Sequence, residues 1–250
     1  MTDFTLIAHR GFSSKAPENT LAAFDKAIGA GFTNIELDVQ LSSDGMLVVI
    51  HDEGLDRTTD GQGLVAKTSL EELRKLDAGT WFGKNFVNER IPTLREVLER
   101  YQNKAHLHIE LKSTEPELAN KVLREIKDTG WFYGENYKTF IVPGITITSF
   151  NFGQLERSLN LMPDIPHHWL LDSINTKNVS EALRIGLTGM CPIANKVSSE
   201  DVDLIHTNNL TARGWGVNSE FDLKKLVQDG AEGATVNWPD RAADFLQDLK

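Results

Sequence analysis

Short apolar runs alternate with longer amphipathic stretches along this chain. The runs are rich in Val, Ile and Leu and are bounded by turn-forming residues, which is typical of buried β-strands. Nine runs are strand candidates: Phe4–Ala8, Thr33–Val39, Met46–Ile50, Ala105–Leu111, Ile145–Phe150, His168–Leu171, Gly189–Ile193, Ala212–Val217 and Gly233–Asn237.

The amphipathic stretches predict helices, because their apolar residues recur at helical spacing. One helix is opened by Pro17 to Thr20 and ended by Gly29 to Gly31. The other predicted helices include Ser69–Lys75, Thr93–Tyr101, Glu115–Asp128, Glu200–Thr207 and Glu220–Asp229.

The second and third strands are too close in sequence to be parallel neighbours. About half a dozen residues separate Val39 from Met46, whereas a parallel crossover needs about a dozen or more. The intervening Ser42-Ser43-Asp44-Gly45 is a strong turn signal. We therefore predict a hairpin, which brings His51 back beside Glu36.

The other eight strands alternate with helices, and this alternation predicts a parallel sheet with helices outside it. The length of 250 residues and the count of eight strands favour an α/β fold of the closed (β/α)8 TIM-type barrel. Neither a GxGxxG after the first strand nor a GxxxxGK[ST] occurs, so a nucleotide-binding sheet is disfavoured. We predict one catalytic domain over residues 1–250. Residues 53–90 are a small insertion after the hairpin, of a length that often forms a lid or a binding loop.

The composition of the chain argues against several classes of binding partner. The net charge of −10 argues against a nucleic-acid surface and against electrostatic docking on anionic lipid. Cys191 is the one cysteine, so no intrachain disulfide can form. The N-terminus, Met1 to Phe4, lacks the features of a signal peptide, and no apolar run approaches the length of a membrane span. We expect a cytoplasmic protein without nucleic-acid or stable membrane partners, and the oligomeric state stays open.

Two carboxylates stand out within the second strand, in Ile35-Glu36-Leu37-Asp38-Val39. Because side chains alternate along a strand, Glu36 and Asp38 point to the same side. Burying two like charges together is costly unless a positive charge lies between them, and hard cations such as Mg²⁺ and Ca²⁺ prefer oxygen ligands. A half-exposed strand with two solvated acids would be the better interpretation if the pair stood alone.

The pair does not stand alone, because other polar residues follow or end predicted strands. They are His9 and Arg10, His51 and Asp52, and Glu110 with Lys112. In a barrel, the carboxyl ends of the strands meet at one face, where active sites lie. Such a set of acids, histidines and cations is typical of hydrolysis or phosphoryl transfer. Trp215, at another strand end, is either a core residue or part of the wall of a ligand pocket.

Several motifs of the chain resemble the glycerophosphodiester phosphodiesterase family, in its bacterial cytoplasmic type. They are His9-Arg10-Gly11, Pro17-Glu18-Asn19-Thr20, Glu36-Leu37-Asp38-Val39, Asp44-Gly45, Val48-Val49-Ile50-His51-Asp52 and Ile109-Glu110-Leu111-Lys112, with weaker similarity through Ser149-Phe150 and Trp215-Gly216-Val217-Asn218. The resemblance implies a β/α barrel, a bound divalent cation (Mg²⁺ or Ca²⁺), and hydrolysis of small-molecule glycerophosphodiesters to glycerol 3-phosphate and an alcohol.

Carried over by position, the resemblance implies a role for each group. Metal ligands would be Glu36, Asp38 and Glu110, and the general acid/base pair would be His9 and His51. Substrate contacts would be made by Arg10 and Lys112 to the phosphate and by Trp215. The family often has a Thr-Asp pair before a proline near the last strand, whereas this chain has Asn237 near that point.

Other interpretations remain open at the level of sequence. The same site could act on lysophospholipids, or a non-catalytic barrel could bind phosphate esters. The attacking group could be the adjacent glycerol hydroxyl, through a cyclic phosphate, or water. Among the remaining polar residues, His106 and His108 are expected to be structural. We interpret Glu18 as a helix-start residue that could also orient Arg10, and Asp52 could belong to a turn alone.

Overall fold

The structure is a computed structural model that describes residues 4–131 and 139–249. Met1 to Asp3, which form part of the N-terminal segment considered above, lie outside the described residues. Within the described ranges, no helix is both long enough and apolar enough to cross a membrane.

Eight parallel strands close into a barrel, as the alternation of the sequence predicts. The nine strands of the fold are β1 Thr5–Ala8, β2 Asn34–Leu41, β3 Leu47–Val49, β4 His106–Leu111, β5 Gly144–Ser149, β6 His167–Leu171, β7 Gly189–Pro192, β8 Thr211–Gly214 and β9 Gly233–Val236. All except β3 belong to the barrel, which closes where β1 pairs with both β2 and β9. The predicted TIM-type barrel is therefore confirmed.

Helices surround the barrel in the described part of the chain. They are α1 Leu21–Gly29, α2 Leu70–Leu73, α3 Leu94–Tyr101, α4 Leu118–Asp128, α5 Phe152–Leu161, α6 Thr176–Ile185, α7 Ser199–Thr207, α8 Glu220–Gln228 and α9 Pro239–Asp248. In α3, the residues spaced at three and four, Leu94, Val97 and Leu98, are buried against the barrel. A capping box between Thr93 and Glu96 fixes the start of that helix.

The predicted hairpin is present. β2 and β3 pair antiparallel, with Val39 opposite Val49. β2 ends two residues later than predicted, at Leu41, because its second half pairs with β3. Consequently Glu36 and Asp38 lie within the strand, while His9 follows the end of β1 and Glu110 is next to last in β4.

Residues 53–90 pack over the outer strand of this hairpin. They contain α2 and two 3₁₀ turns, Val65–Lys67 and Lys84–Phe86. A hydrophobic cluster separate from the barrel core joins them to β3; its members are Val48, Ile50, Leu55, Val65, Leu73, Ala78 and Ile91. The treatment of residues 1–250 as one domain with this segment as an insertion stays a prediction.

The barrel interior is unusually polar below the site. His106 bonds to Thr146 at 2.8 Å, and His108 bonds to Asn34 at 3.1 Å. Both histidines are fully buried, and burial lowers the pKa of His106 to about 4. The geometry agrees with the expectation that they are structural.

Candidate active site

Three carboxylates converge at the junction of β2 and β4. Asp38 lies opposite Glu110 in the parallel ladder, and Glu36 lies one inward-facing position earlier on β2. Ligand oxygens of the three residues lie within 4.8 Å of one another, and all three side chains are buried. The period of two in the strand thus produces the cluster that the sequence predicts.

Two cations border the acidic cluster. The Nε of Arg10 lies 3.3 Å from Asp38 Oδ2, and the Arg10 backbone N–H donates to Glu36 Oε2 at 3.0 Å. Arg10 has a φ of 56°, a left-handed conformation that turns the chain after β1 toward the site. On the other side, Lys112 Nζ lies 2.9 Å from Glu110 Oε1 and 3.8 Å from Asp38 Oδ1.

The ionisation of the three acids is uneven. Burial, followed by the nearby charge of Asp38, raises the pKa of Glu110 to about 7. Burial and the charges of Asp38 and Glu110 raise the pKa of Glu36 well above its ordinary value. Burial opposes ionisation of Asp38 as well, but Arg10 and Lys112 hold its pKa below the ordinary value. The two flanking cations therefore compensate only part of the negative charge.

This donor set fits a divalent cation. Three buried carboxylates with oxygens in mutual reach form an all-oxygen ligand set of the kind that Mg²⁺ and Ca²⁺ prefer. The raised pKa values of Glu36 and Glu110 show that further positive charge would be favourable at this position.

The hairpin places His51 in the wall of the pocket, beside Lys112. Its Nδ1 donates to Asp52 Oδ1 at 2.5 Å, and Lys112 Nζ donates to its Nε2 at 3.1 Å. Asp52 is thus more than a turn residue. Burial is the main cause that lowers the pKa of His51, so the imidazole is held mostly neutral.

His9 is held in a similar way by the last strand. Its Nδ1 donates to Asn237 Oδ1 at 2.5 Å, and its Nε2 lies 3.8 Å from Glu36 Oε2. Burial, followed by the charge of Arg10, lowers the pKa of His9 to about 4. The Asn237 that departs from the family pattern therefore fixes the orientation of this imidazole.

Glu18 and Arg57 form a second group of charges, which contacts Arg10 of the site. Glu18 bonds to Arg10 at 2.7 Å and to both Nη atoms of Arg57. Burial opposes ionisation of Glu18, but its bonds with the two arginines lower its pKa to about 2. The interpretation of Glu18 as a helix-start residue is wrong, because Thr20 is the N-cap and α1 begins at Leu21. The suggested role in orienting Arg10 agrees with the geometry.

The pocket is bounded by an aromatic wall on the side of β8. Trp215 follows that strand, lines the pocket, and donates from Nε1 to the carbonyl of Leu171 at 2.9 Å. Phe150 meets Trp215 edge to face, with the ring centroids 4.9 Å apart. The wall leaves the pocket open at the mouth, where Phe150 is 45% exposed.

The fold brings all eight residues predicted from the sequence to this end of the barrel; the role of each stays a prediction. Sequence reasoning missed Asn19, which bonds to Asp38 Oδ2 at 2.8 Å, and Arg57. It also missed Arg213, which lines the pocket. A charged residue within the apolar run Ala212–Val217 was the available signal for Arg213.

Residues 9–241 match the model of the glycerophosphoryl diester phosphodiesterase family. The chain belongs to this family. Membership makes the protein a phosphoric diester hydrolase, in agreement with its resemblance in sequence.

Relatives of this glycerophosphoryl diester phosphodiesterase cover nearly the whole chain. The chain is 37% identical over 246 residues to the glycerophosphodiester phosphodiesterase of Caldanaerobacter subterraneus subsp. tengcongensis, covering 97% of each protein. It is 33% identical over 249 residues to a glycerophosphodiester phosphodiesterase of Bacillus subtilis, covering 94% of this chain and 83% of that protein. A phosphodiesterase of Oleispira antarctica, solved in complex with the product sn-glycerol-3-phosphate, superposes with a TM-score of 0.88 at 30% identity, covering 97% of this chain and 96% of the other.

Proposed function

We propose that the protein hydrolyses glycerophosphodiesters, such as glycerophosphocholine or glycerophosphoethanolamine, to glycerol 3-phosphate and an alcohol. The observation that carries the proposal is the meeting of an acidic triad, two histidines and two cations around one pocket. Phosphodiester hydrolysis needs positive charge at the phosphoryl oxygens, a base for the attacking hydroxyl and an acid for the leaving oxygen. The glycerol 3-phosphate held by the Oleispira antarctica relative supports the choice of substrate.

In this proposal, Glu36, Asp38 and Glu110 hold a divalent cation, Mg²⁺ or Ca²⁺. When bound, the cation supplies a Lewis acid that stabilises negative charge on the phosphoryl oxygens. Arg10 and Lys112 bind the phosphoryl group from the protein side. Two observations support this role. Both residues line the pocket, and each is already oriented by a carboxylate, Glu18 for Arg10 and Glu110 for Lys112.

His9 and His51 act as the general acid/base pair. Each Nδ1 is held by an oxygen of a neighbouring side chain, so Nε2 is the nitrogen left for proton transfer in each ring. It lies 3.8 Å from Glu36 in His9 and accepts from Lys112 in His51. One imidazole accepts the proton of the attacking hydroxyl. Burial lowers the pKa of both rings in the free protein, so the other must take up a proton when the anionic diester binds before it can supply one to the leaving oxygen. Trp215 lines the glycerol end of the substrate.

The test is a comparison of substrates with two coupled assays, one for glycerol 3-phosphate and one for choline. We expect release from glycerophosphocholine and glycerophosphoethanolamine, and little choline from lysophosphatidylcholine. Faster choline release from the lysolipid would replace this proposal with a lysophospholipase D-like activity. Binding of these diesters without turnover of any would indicate a non-catalytic barrel.

A further inference from the structure

The floor of the pocket carries three polar side chains that the mechanism above does not use. They are Thr148 of β5, Arg213 of β8 and Thr235 of β9, and all three line the same pocket as Glu36 and Glu110. All are buried, with Arg213 only 1% exposed. Arg213 and Thr235 come from the neighbouring strands β8 and β9, whereas Thr148 lies beside Glu110 in the ladder between β4 and β5.

Arg213 has no counter-charge among the residues that the structure describes. Its Nε donates to Cys191 Sγ at 3.3 Å, and its Nη1 donates to Thr235 Oγ1. The threonine hydroxyl carries no charge, and burial raises the pKa of the Cys191 thiol, so this acceptor is uncharged as well. Among residues 4–131 and 139–249, no carboxylate oxygen lies within 4.0 Å of its guanidinium nitrogens. A buried guanidinium bonded only to neutral groups is costly to the fold.

The acids of the pocket already have other partners. Glu110 pairs with Lys112 at 2.9 Å, and Glu36 accepts the backbone N–H of Arg10 at 3.0 Å. Neither acid therefore explains why Arg213 is charged and buried at this position.

The two threonines add unused donors to the floor. The Thr148 hydroxyl is buried and has no hydrogen-bond partner in the described part of the chain. Thr235 Oγ1 accepts from Arg213, so its own proton is available to a third group. Two residues before Thr148 on the same strand, the equally buried Thr146 hydroxyl is bonded to His106 at 2.8 Å. The unpartnered state is thus a property of the pocket position and not of β5.

We propose that Arg213, Thr148 and Thr235 form a second subsite that binds an anionic oxygen group of the substrate. The inference rests on the proposed function for the identity of the substrate. A fixed positive charge surrounded by hydroxyl donors is complementary to a phosphoryl or carboxylate oxygen. The group bound is either the phosphoryl group shared by all glycerophosphodiesters or an acidic group on the alcohol, as in glycerophosphoserine.

Binding of sn-glycerol 3-phosphate to the cation-loaded protein, measured by calorimetry, tests the subsite without turnover. A lost hydrogen bond to a charged group corresponds to about a tenfold loss of affinity. We expect T148V to weaken binding severalfold to about tenfold with an unchanged or raised Tm, since no protein bond is lost. The matched variant T146V should lower the Tm, because His106 loses its partner, and should leave the affinity unchanged.

Arg213 is tested with R213M and R213K. R213M should weaken binding by about tenfold or more, and R213K should restore part of it. Wild-type affinity for both sn-glycerol 3-phosphate and glycerophosphoserine in T148V and R213M would overturn the subsite. If R213M does not fold, the binding affinity of T148V alone tests the subsite.

The values of kcat/KM of R213M for two substrates show which oxygen group of the substrate Arg213 binds. An equal loss for glycerophosphocholine and glycerophosphoserine assigns Arg213 to the shared phosphoryl group. A loss confined to glycerophosphoserine assigns it to the acid on the alcohol, and no loss for either contradicts the proposal. If the wild-type protein turns over no diester, the proposed function fails, while titration with glycerol 3-phosphate and glycerophosphoserine still tests the subsite.

Discussion

Arg57 donates to both carboxylate oxygens of Glu18, at 2.8 and 2.7 Å, across 39 residues of sequence. Its Nε also bonds to Asp52 at 2.5 Å. Because Glu18 holds Arg10 and Asp52 holds His51, one residue of the 53–90 segment fixes the acids behind both a phosphate-binding group and a proton-transfer group.

Replacing Arg57 should therefore reduce activity more than it reduces stability. We expect R57A to lower kcat/KM for glycerophosphocholine by about tenfold, the lower end of the range for residues that orient functional side chains. R57K should recover part of the loss. The matched control is Arg74, which is similarly exposed and binds Glu96 through two bonds of 2.8 Å away from the pocket. Equal losses in R57A and R74A would mean that Arg57 only holds the segment in place.

The two histidines should be needed for turnover and not for folding. We expect H9Q and H51Q each to lower kcat by about 10² to 10⁴, the usual contribution of a positioned acid or base, with little change in Tm. His206, which lies 3.0 Å from Glu232 and does not line the pocket, gives the control variant H206Q. Near-normal kcat in either H9Q or H51Q would exclude the two-histidine mechanism.

Cation binding should be visible in thermal stability. A cation present at about 100 times its Kd adds about 2.7 kcal/mol to the free energy of unfolding, so Mg²⁺ or Ca²⁺ should raise the Tm of the wild-type protein. E36Q removes a buried charge next to Asp38 and Glu110, so without cation its Tm should equal or exceed that of the wild type. Added cation should then produce a much smaller shift.

The control for this measurement is E71Q, because Glu71 is exposed on α2. It should keep the wild-type response to the cation. A full cation-dependent shift in E36Q would place the binding site elsewhere.

The buried histidines should make folding sensitive to acid. Burial lowers the pKa of His167 to about 4, and its ring is bonded to Ser158 and to the carbonyl of Ile165. The folded state keeps the ring neutral while the unfolded state protonates it near pH 6.5, so its stabilising contribution is complete above about pH 6.5 and is lost as pH falls to about 4. At about 1.4 kcal/mol per pKa unit, the loss amounts to roughly 3 kcal/mol.

Urea unfolding at pH 7, 5.5 and 4 measures this dependence. H167Q should be less stable at pH 7 but should lose less stability on acidification than the wild type. Parallel pH profiles for the two proteins would contradict the assignment.

The sequence predicts the barrel and the acidic triad because both depend on local periodicity. Side-chain alternation puts Glu36 and Asp38 on one face of β2, and the short turn at Ser42 to Gly45 forces the hairpin that carries His51. These features are set within a few residues.

Contacts between distant segments could not be read in the same way. The pairing of Glu18 with Arg57 depends on how residues 53–90 fold back, and the partner of His9 is Asn237, 228 residues away. Arg213 is recognisable as unusual within an apolar strand. Only the closed barrel shows that it lines the pocket and that no described carboxylate pairs with it.

Release of glycerol 3-phosphate from glycerophosphocholine tests the central claim most directly. The protein is assayed untreated, after treatment with EDTA, and after Mg²⁺ or Ca²⁺ is added back. The proposed mechanism predicts loss of release with EDTA and recovery with at least one of the two cations, and no recovery in E36Q. Release that is unaffected by EDTA, or that neither cation restores, would contradict it.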